Sequence, residues 1–274
     1  MEADPKSKNT NAIMIGFVLI VIVSLFTFLR QSPDEVSNKT TNLIEDNDIN
    51  KNYQNLLISD KELVKKLSEK DKPAVIDLRS PDEYKLEHII DSINISIENL
   101  DSGVGGLDKN KTYVLVDQIN VSETMEFLAG YFSSQGFSRI KILNGGFLLW
   151  KQNNNPTIAF GNLSSIVDRA KVTFIEAVAL KELIEKEKNL LILDVRPENE
   201  FKEGHLKDSI NMSVDNIEKD YKKIGLGKKI IIYDNNGLLA FQAAVRLFDL
   251  GFVNTLCLSD GLDTWKKNGY EIVK

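Results

Sequence analysis

The sequence predicts an α/β protein with two similar domains, each a parallel β-sheet with helices on both faces. Short apolar runs with little alternation indicate strands that are buried on both sides, as in parallel sheets. Stretches with helical periodicity separate these runs, and such an alternation is typical of α/β folds. The same order of runs occurs in each half of the chain. One transmembrane helix is also predicted, ahead of the two domains.

An internal repeat supports the prediction of two domains. The first recurring residues return 117 positions later, and they are Asp77 and Asp194, Arg79 and Arg196, Glu83 and Glu200, and His88 and His205. The last ones return 115 positions later, and they are Gly136 and Gly251, Gly146 and Gly261, and Trp150 and Trp265. A register that holds this well indicates the duplication of a whole domain.

The predicted elements follow one order in both repeats. Strands are expected at 74–78, 112–116 and 139–143, and again at 190–195, 229–233 and 255–258. Helices are expected at 123–135 and 239–250. Each of these helices is followed by a repeated glycine that suits a helix C-terminus. Capping boxes that pair Ser59 with Glu62 and Thr173 with Glu176 predict the first helix of each repeat.

The composition argues against several classes of function. A formal net charge of −6 and a pI near 5.2 disfavour a nucleic-acid-binding surface, which needs a basic face. Cys257 is the single cysteine, so neither an intramolecular disulfide nor a cysteine-based metal cluster can form. Both histidines belong to the repeat, and we expect no metal site and no cofactor.

The segment from Ala12 to Leu29 predicts a membrane anchor. Its 18 residues carry no charge. As a helix they would span roughly 27 Å, close to the hydrocarbon thickness of a bilayer. A cleaved signal peptide is the alternative, but the run is long and no small-x-small cleavage site follows it. Basic residues on the two sides are nearly balanced, and we expect the domains on the extracytoplasmic side.

These predictions divide the chain into six parts. They are a flank at 1–11, an anchor at 12–29, a flexible tether at 30–54, a first domain at 55–158, a linker at 159–172 and a second domain at 173–274. The tether is rich in polar and charged residues. It cannot bury enough apolar surface to offset the entropy lost on ordering.

The repeated motif resembles the rhodanese, or thiosulfate sulfurtransferase, superfamily in tandem. The resemblance rests on Asp-x-Arg-x-x-x-Glu, then His, then Ser-Ile-Asn, and finally a Gly-Gly or Asp-Gly turn before Trp, and it covers about 59–156 and 173–274. In this family a cysteine follows the fourth core strand, opens an anion-binding loop and carries sulphur as a persulfide. The corresponding residues here are Asp117 and Asp234.

The two loops predict the loss of sulfurtransferase activity. A carboxylate oxygen cannot form a persulfide. The second loop keeps Gly237 but has Leu239 where the family usually has Arg or Lys, and the first loop lacks both the glycine and the cation. An anionic sulphur donor would therefore meet a fixed negative charge without a counter-ion. The resemblance thus implies two catalytically inactive domains.

One hypothesis goes beyond the resemblance. N–H groups that curl around the start of a helix form an anion-binding site. If the second loop keeps this shape, the carboxylate of Asp234 would occupy the site itself and stabilise the loop. The same argument has less support for Asp117, whose loop lacks the glycine. The other candidates for ligand contact in the second loop are Asn235, Asn236, Gly237 and Leu238.

The remaining repeated polar residues are interpreted as structural. The Asp, Arg and Glu of the motif would form a salt-bridged turn between a strand and a helix, with the arginine tying the glutamate to the sheet. His88 and His205 are expected to be buried, hydrogen-bonded packing residues. Cys257 lies on a predicted strand, outside both loops, and we expect it to be a small buried hydrophobe.

The sequence therefore predicts a membrane-anchored, non-catalytic protein that binds a protein partner or a small ligand, as a scaffold or sensor. The alternative is a sulfurtransferase that uses the cysteine of a partner subunit or Cys257. A binding module would capture its partner stoichiometrically without turnover, whereas the enzyme would transfer sulphur.

Overall fold

The computed structural model describes residues 53–120, 122–225 and 227–274, and residues 56–274 form one compact unit. The predicted anchor between Ala12 and Leu29, and the tether up to residue 52, lie outside these ranges. Within the described residues, no helix is both long and apolar enough to cross a bilayer. The membrane anchor therefore stays a prediction.

Each repeat forms a parallel sheet, as predicted, and each sheet has five strands, two more than the sequence indicated. The strands of the first repeat are β1 (Leu57–Ile58), β2 (Ala74–Asp77), β3 (Glu87–Ile89), β4 (Ile93–Asn94), β5 (Tyr113–Val116), β6 (Ile140–Leu143) and β7 (Thr157–Ala159). Of these, β3 and β7 pair only with each other and lie outside the five-stranded sheet. Those of the second are β8 (Phe174–Ile175), β9 (Leu190–Asp194), β10 (Ile210–Asn211), β11 (Lys229–Tyr233) and β12 (Thr255–Leu258). The sheet orders are β1-β6-β5-β2-β4 and β8-β12-β11-β9-β10, so one topology occurs twice.

Helices connect and cover these strands. In chain order they are α1 (Asp60–Leu67), α2 (Pro81–Leu86), α3 (Leu100–Gly103), α4 (Ser122–Ser134), α5 (Gly146–Gln152), α6 (Ile166–Ala170), α7 (Ala177–Lys186), α8 (Glu198–Glu203), α9 (Ile217–Asp220), α10 (Leu238–Asp249) and α11 (Gly261–Lys267). Short 3-10 turns occur at Gln54–Leu56, Ile97–Asn99, Val214–Asn216 and Tyr221–Lys223. Helix α6 lies within the segment that the sequence predicts as a linker.

Apolar side chains pack on both faces of each sheet, which explains why the strands show little alternation. In the first repeat, Leu115 packs with Phe132 on one face, and Val114 packs with Trp150 on the other. Successive side chains of a strand point to opposite faces, so both must be apolar when helices cover both sides. The second repeat has the same two layers.

The predicted glycine C-caps are confirmed. At the end of α10, the N–H of Gly251 donates to the carbonyl of Phe248 (2.9 Å) and the N–H of Phe252 donates to that of Leu247 (2.8 Å). This pair of hydrogen bonds is the Schellman motif, which needs a left-handed residue after the helix. Gly251 has the required positive φ, 92°, and Gly136 at the end of α4 has a φ of 83°.

The capping box predicted at Thr173 is wrong. Residues Phe174–Ile175 form the edge strand β8, and the carbonyl of Thr173 accepts a hydrogen bond from the N–H of Cys257 (2.8 Å). Helix α7 instead begins after Glu176, which makes no side-chain cap. Pairing with the sheet thus replaces capping at this position. Ser59 does cap α1, since its hydroxyl accepts a hydrogen bond from the N–H of Glu62 (3.2 Å).

Strand β7 joins the two repeats. It pairs in antiparallel fashion with β3 of the first repeat and packs against α10 of the second. At the end of α10, Asp249 accepts a hydrogen bond from the N–H of Ala159 (3.0 Å) and pairs with the ammonium of Lys171 (2.7 Å). In the second repeat, the place of β7 is taken by an antiparallel bridge between His205 and Val273.

Two glycines of the second repeat provide a matched test of how closely α11 packs against the loop after β11. Gly261 has a φ of 58°, and a Cβ there would lie 2.4 Å from the carbonyl oxygen of Asp234. Gly251 also has a positive φ, but its Cβ would meet nothing within 4 Å. We expect Gly251→Ala to cost about 1–2 kcal/mol of unfolding free energy, from backbone strain alone.

Gly261→Ala is expected to cost about 3 kcal/mol or more, because α11 must also move away from the loop. Urea unfolding of both variants measures the difference. Equal losses would contradict the close contact between α11 and the loop after β11.

Candidate functional site

The two loop aspartates lie at equivalent places, directly after the central strands β5 and β11. Asp117 is 8% exposed and Asp234 is 2% exposed. Ligands of parallel α/β sheets bind at this edge, at the carboxyl ends of the strands. The backbone oxygen of each aspartate accepts a hydrogen bond from the start of a later helix, from Phe147 N–H (2.8 Å) or Leu262 N–H (2.7 Å). The first turns of α5 and α11 therefore hold the two loops in place through backbone hydrogen bonds.

The side chain of Asp234 folds back into its own loop. One carboxylate oxygen accepts the N–H of Gly237 (2.6 Å), and the other accepts the N–H of Leu239 (3.0 Å). Gly237 has a φ of 92°, a left-handed conformation that turns its N–H inwards at the start of α10. The carboxylate thus sits where the sequence hypothesis placed it, among the N–H groups that would otherwise hold an anion.

Two opposing effects act on the pKa of Asp234. Burial raises this pKa, and hydrogen bonds from the backbone N–H groups of the loop offset part of the rise. Burial prevails, so the pKa of Asp234 lies above the usual value for an aspartate. The loop therefore provides N–H donors, but its carboxylate remains costly to ionise.

The side chains of both asparagines in the second loop make hydrogen bonds within the protein. The side chain of Asn235 accepts a hydrogen bond from Arg196 (3.1 Å) and donates one to Glu200 (2.7 Å). The side-chain oxygen of Asn236 accepts the N–H of Leu238 (3.1 Å). Among the predicted ligand contacts, Leu238 is 44% exposed and Asn236 is exposed as well, whereas Asn235 is half-buried.

Asp117 has a different environment, although it occupies the equivalent position. Its carboxylate accepts a hydrogen bond from the side-chain N–H of Asn120 (2.8 Å). Burial raises the pKa of Asp117 to about 6, and the nearby charge of Asp77 adds to the rise. Within the described residues, the buried side-chain oxygen of Asn120 has no hydrogen-bond partner.

The repeated Asp and Arg form a buried ion pair in both repeats. Arg196 contacts both carboxylate oxygens of Asp194, and its shortest distance to them is 2.6 Å. It also donates to the carbonyl of Gly204 (2.8 Å). Arg79 binds Asp77 in the same way and with the same shortest distance, 2.6 Å. These residues hold the end of the strand to the end of the following helix.

The repeated glutamates do not bind the arginines as the sequence interpretation expected. Glu83 accepts hydrogen bonds from the hydroxyl (2.6 Å) and N–H (3.1 Å) of Ser80, and the Ser80 hydroxyl also accepts the N–H of Glu83. This capping box starts α2. Glu200 instead binds Asn235 of the loop after β11. The glutamate therefore caps a helix in one repeat and supports the loop in the other.

The histidines pack against aromatic rings at helix ends. The ring of His88 stacks on Tyr84 at a centroid distance of 3.9 Å, and its Nδ1 lies 2.7 Å from the Tyr84 carbonyl oxygen. His205 repeats this arrangement with Phe201, at 3.8 Å and 3.0 Å. In addition, Nε2 of His88 lies 2.8 Å from the carboxylate of Glu218 in the second repeat.

The environment of Cys257 does not suit a nucleophile. The residue lies on β12 with 0% exposure. Burial, together with the negative charge of Asp234, raises the pKa of its thiol to about 12. Since the thiolate is the reactive form, the thiol is inert at neutral pH. The described residues also contain no group of three His, Cys, Asp or Glu side chains arranged to hold a metal ion.

Both repeats match one family. The model of the rhodanese-like domain matches residues 60–153 and 176–268. The chain belongs to the rhodanese-like family. We call the repeat that contains the first matched region rhodanese-like domain 1, and the other rhodanese-like domain 2.

Several known proteins are similar to one rhodanese-like domain of this chain. An uncharacterised protein of Buchnera aphidicola is 31% identical over 34% of this chain, which spans 65% of that protein. Thiosulfate sulfurtransferase GlpE of Pseudomonas fluorescens is 33% identical over 32% of this chain and 79% of its own length. A rhodanese-related protein of Thermoplasma volcanium aligns with 37% of this chain and 97% of its own, with 27% identity and a TM-score of 0.34.

Sequence reasoning missed three residues, one that caps α2, one in the loop after β5 and one at the contact between the domains. Ser80 carries a readable signal, because it stands three residues before Glu83 and ahead of a helix. Asn120 carries none, since its bond to Asp117 depends on the shape of the loop. Glu218 is 130 positions from His88, and only the docking of the two domains brings them together.

Asp234→Ala tests whether the carboxylate fills an anion site. The change leaves the N–H groups of Gly237 and Leu239 without their acceptor, and we expect a loss of about 1–3 kcal/mol in unfolding free energy. The emptied site should then bind a small anion. Sulfate is therefore expected to raise the melting temperature of this variant more than that of the wild type.

Asp263→Ala, which removes an exposed carboxylate from the neighbouring helix α11, is the control for general effects of charge. It should respond to sulfate as the wild type does. An Asp234→Ala variant with unchanged stability, or with no added response to sulfate, would contradict the self-filled site.

Asp117→Asn tests the burial of the first carboxylate. Because the pKa of about 6 in the folded protein exceeds the ordinary aspartate pKa of 3.8, folding favours the protonated form. The stability from Asp117 is present below pH 4 and is lost as the pH rises to about 6. The variant should therefore be more stable than the wild type at pH 7, by roughly 2–3 kcal/mol.

The difference between the two proteins should disappear near pH 4, and unfolding in urea across this range measures it. Only the difference in unfolding free energy between the variant and the wild type is informative, since the other titratable groups contribute equally to both proteins. A constant difference from pH 4 to pH 7 would show that Asp117 is not buried as the structure places it.

Proposed function

We propose that this protein is a membrane-anchored, non-catalytic member of the rhodanese-like family that works by binding another protein. The observation that carries the proposal is the Asp234 carboxylate, which accepts the loop N–H groups of Gly237 and Leu239. A bound anionic substrate would need the same donors. The loop is therefore occupied by a group that belongs to the protein itself.

The electrostatics of the loop support the absence of sulphur transfer. The reaction requires a thiolate that attacks the outer sulphur of thiosulfate, so that an S–S bond forms and sulfite leaves. Cyanide then takes this sulphur and leaves as thiocyanate. Asp117 and Asp234 cannot form the S–S bond, and Leu239 offers no charge to a dianionic donor. Cys257 is buried and protonated.

A sulfurtransferase that borrows the cysteine of a partner is the second candidate. The relatives named thiosulfate sulfurtransferase support it, because they are similar to one domain of this chain. In that case the rhodanese-like domains would bind or orient the partner, and sulphur would not be attached to this chain.

The proposed anchor is the uncharged run between Ala12 and Leu29, followed by a polar tether. It would keep both rhodanese-like domains close to a bilayer, on the extracytoplasmic side if the proposed orientation holds. A tethered binding domain gains effective concentration for partners in the same membrane. This supports a role as a scaffold or sensor.

One experiment tests both parts of the proposal. The full chain is collected from membranes after an alkaline carbonate wash, and then assayed with thiosulfate as donor and cyanide as acceptor. We expect the protein in the washed membranes, no formation of thiocyanate and no sulphur on Cys257 by mass spectrometry. Release of the protein by the wash would contradict the anchor, and turnover would contradict the absence of catalysis.

A double variant, Asp234→Cys with Leu239→Arg, is the positive control. It supplies the thiol and the cation at their family positions, and it should gain the mass of one sulphur atom at residue 234. Thiocyanate produced by the wild type only after addition of a soluble cell extract would favour the partner-cysteine alternative.

A further inference from the structure

The two rhodanese-like domains contact each other through an edge of domain 1 and a helical face of domain 2. At this contact His88 lies 2.8 Å from the carboxylate of Glu218, and the guanidinium of Arg246 lies 4.8 Å from the ring centre of Phe160. Gly161 approaches α10 so closely that a Cβ there would lie 2.9 Å from its backbone. The edge is formed by β3, β7 and the residues after β7, and the face by α9 and α10.

The centre of this contact is ionic. Nδ1 of His88 lies 2.7 Å from a carbonyl oxygen and Nε2 lies 2.8 Å from a carboxylate oxygen, so polar partners hold the ring at both nitrogens. Burial raises the pKa of Glu218, but the hydrogen bond and charge of His88 and the charge of Arg246 outweigh it and lower the pKa. The edge therefore presents the imidazole of His88 to an anion on the face.

Domain 1 has a counterpart of this face on α3 and α4. The pairing of α4 with α10 follows the repeat offset of 115, and that of α3 with α9 the offset of 117. The corresponding residues are Asp101 and Glu218, Phe127 and Gln242, Gly130 and Val245, and Tyr131 and Arg246. The contact between the two helices is also repeated. In domain 1 the hydroxyl of Tyr131 donates to the carboxylate of Asp101 (2.8 Å), and in domain 2 the guanidinium of Arg246 lies 3.8 Å from the carboxylate of Glu218.

The two faces differ in what covers them. Domain 1 covers the face of domain 2, where Val245 is 0% exposed and Arg246 is 6% exposed. On the α3–α4 face, Phe127 is 49% exposed and stacks on Tyr131 at 5.8 Å. Gly130 and Asp101 are exposed as well. An aromatic pair beside a carboxylate thus stands uncovered at the place where the other domain is docked.

Domain 2 has a counterpart of the edge. His205 corresponds to His88, and its bridge to Val273 corresponds to the pairing of His88 with Ile158. Nδ1 of His205 is held by a carbonyl oxygen, as in domain 1. Among the described residues, no polar group pairs with its Nε2, and Val273 is 37% exposed.

We propose that the domain 2 edge of one molecule docks on the α3–α4 face of a second molecule. This would repeat, between chains, the part of the contact that β3 and β7 make within a chain, with Nε2 of His205 against Asp101. Because the two surfaces differ, the interface is heterologous, and further copies extend it into a ring or a filament. The proposal does not rest on the absence of catalysis.

The contact between chains is expected to be weaker than the one within a chain. Ser134 stands at the position of Asp249, so the bonds from Ala159 N–H and Lys171 have no counterpart. A linker also raises the effective concentration of domain 2 for domain 1 within a chain. Self-association should therefore depend on protein concentration.

Cross-linking between two different single variants tests the proposal. The full chain is prepared in detergent micelles as Ser102→Cys and, separately, as Lys207→Cys, at exposed positions close to Asp101 and His205, so that the proposed pair itself is kept. The native Cys257 is fully buried and does not compete. Treatment with a short bis-maleimide is expected to give a cross-linked dimer when the two variants are mixed. Each variant alone should give none, since a heterologous interface never places two copies of one residue together.

Surface variants provide the control. Phe127→Asp, introduced into the Ser102→Cys protein, should lower the yield of dimer by about tenfold, equivalent to about 1.4 kcal/mol. Val253→Asp alters an apolar residue that is 73% exposed, in the loop between α10 and β12 and outside the docking edge, and should leave the yield unchanged when introduced into the Lys207→Cys protein. No dimer in the mixture, or equal dimer from each variant alone, would overturn the proposal.

Discussion

Each repeat depends on a buried ion pair at the end of its β2 or β9 strand. In the second repeat, Arg196 binds Asp194, the carbonyl of Gly204 and the side chain of Asn235. One guanidinium therefore joins the sheet, the end of α8 and the loop after β11. Removal of one partner would leave the other charge buried, which typically costs about 3–5 kcal/mol. Both repeats keep this motif although their loops differ.

Local patterns in the sequence account for most of the fold. The central strands and the two long helices lie within about two residues of their predicted bounds, because apolar runs and C-terminal glycines mark them. The edge strands β1, β4, β8 and β10 are only two residues long, too short to show a period. Thr173 was misassigned for this reason. The contact between His88 and Glu218 depends on docking, which no local pattern records.

The candidate site was predictable in one repeat only. In the second loop, a glycine before a helix indicates inward N–H groups, and the carboxylate of Asp234 follows from that geometry. The first loop has no such glycine, and the bond between Asp117 and Asn120 had no signal in the sequence. The same residue type at equivalent positions is thus held by backbone donors in one domain and by a side-chain amide in the other.

The burial of Cys257 also affects the chemical durability of the protein. A thiol with 0% exposure is reached by oxidants only when the sheet opens. Folded molecules therefore neither lose this residue to sulfenic acid nor form mixed disulfides through it. Unfolded chains can do both. In an oxidising compartment, the only cysteine would then act as a chemical mark that separates misfolded molecules from native ones.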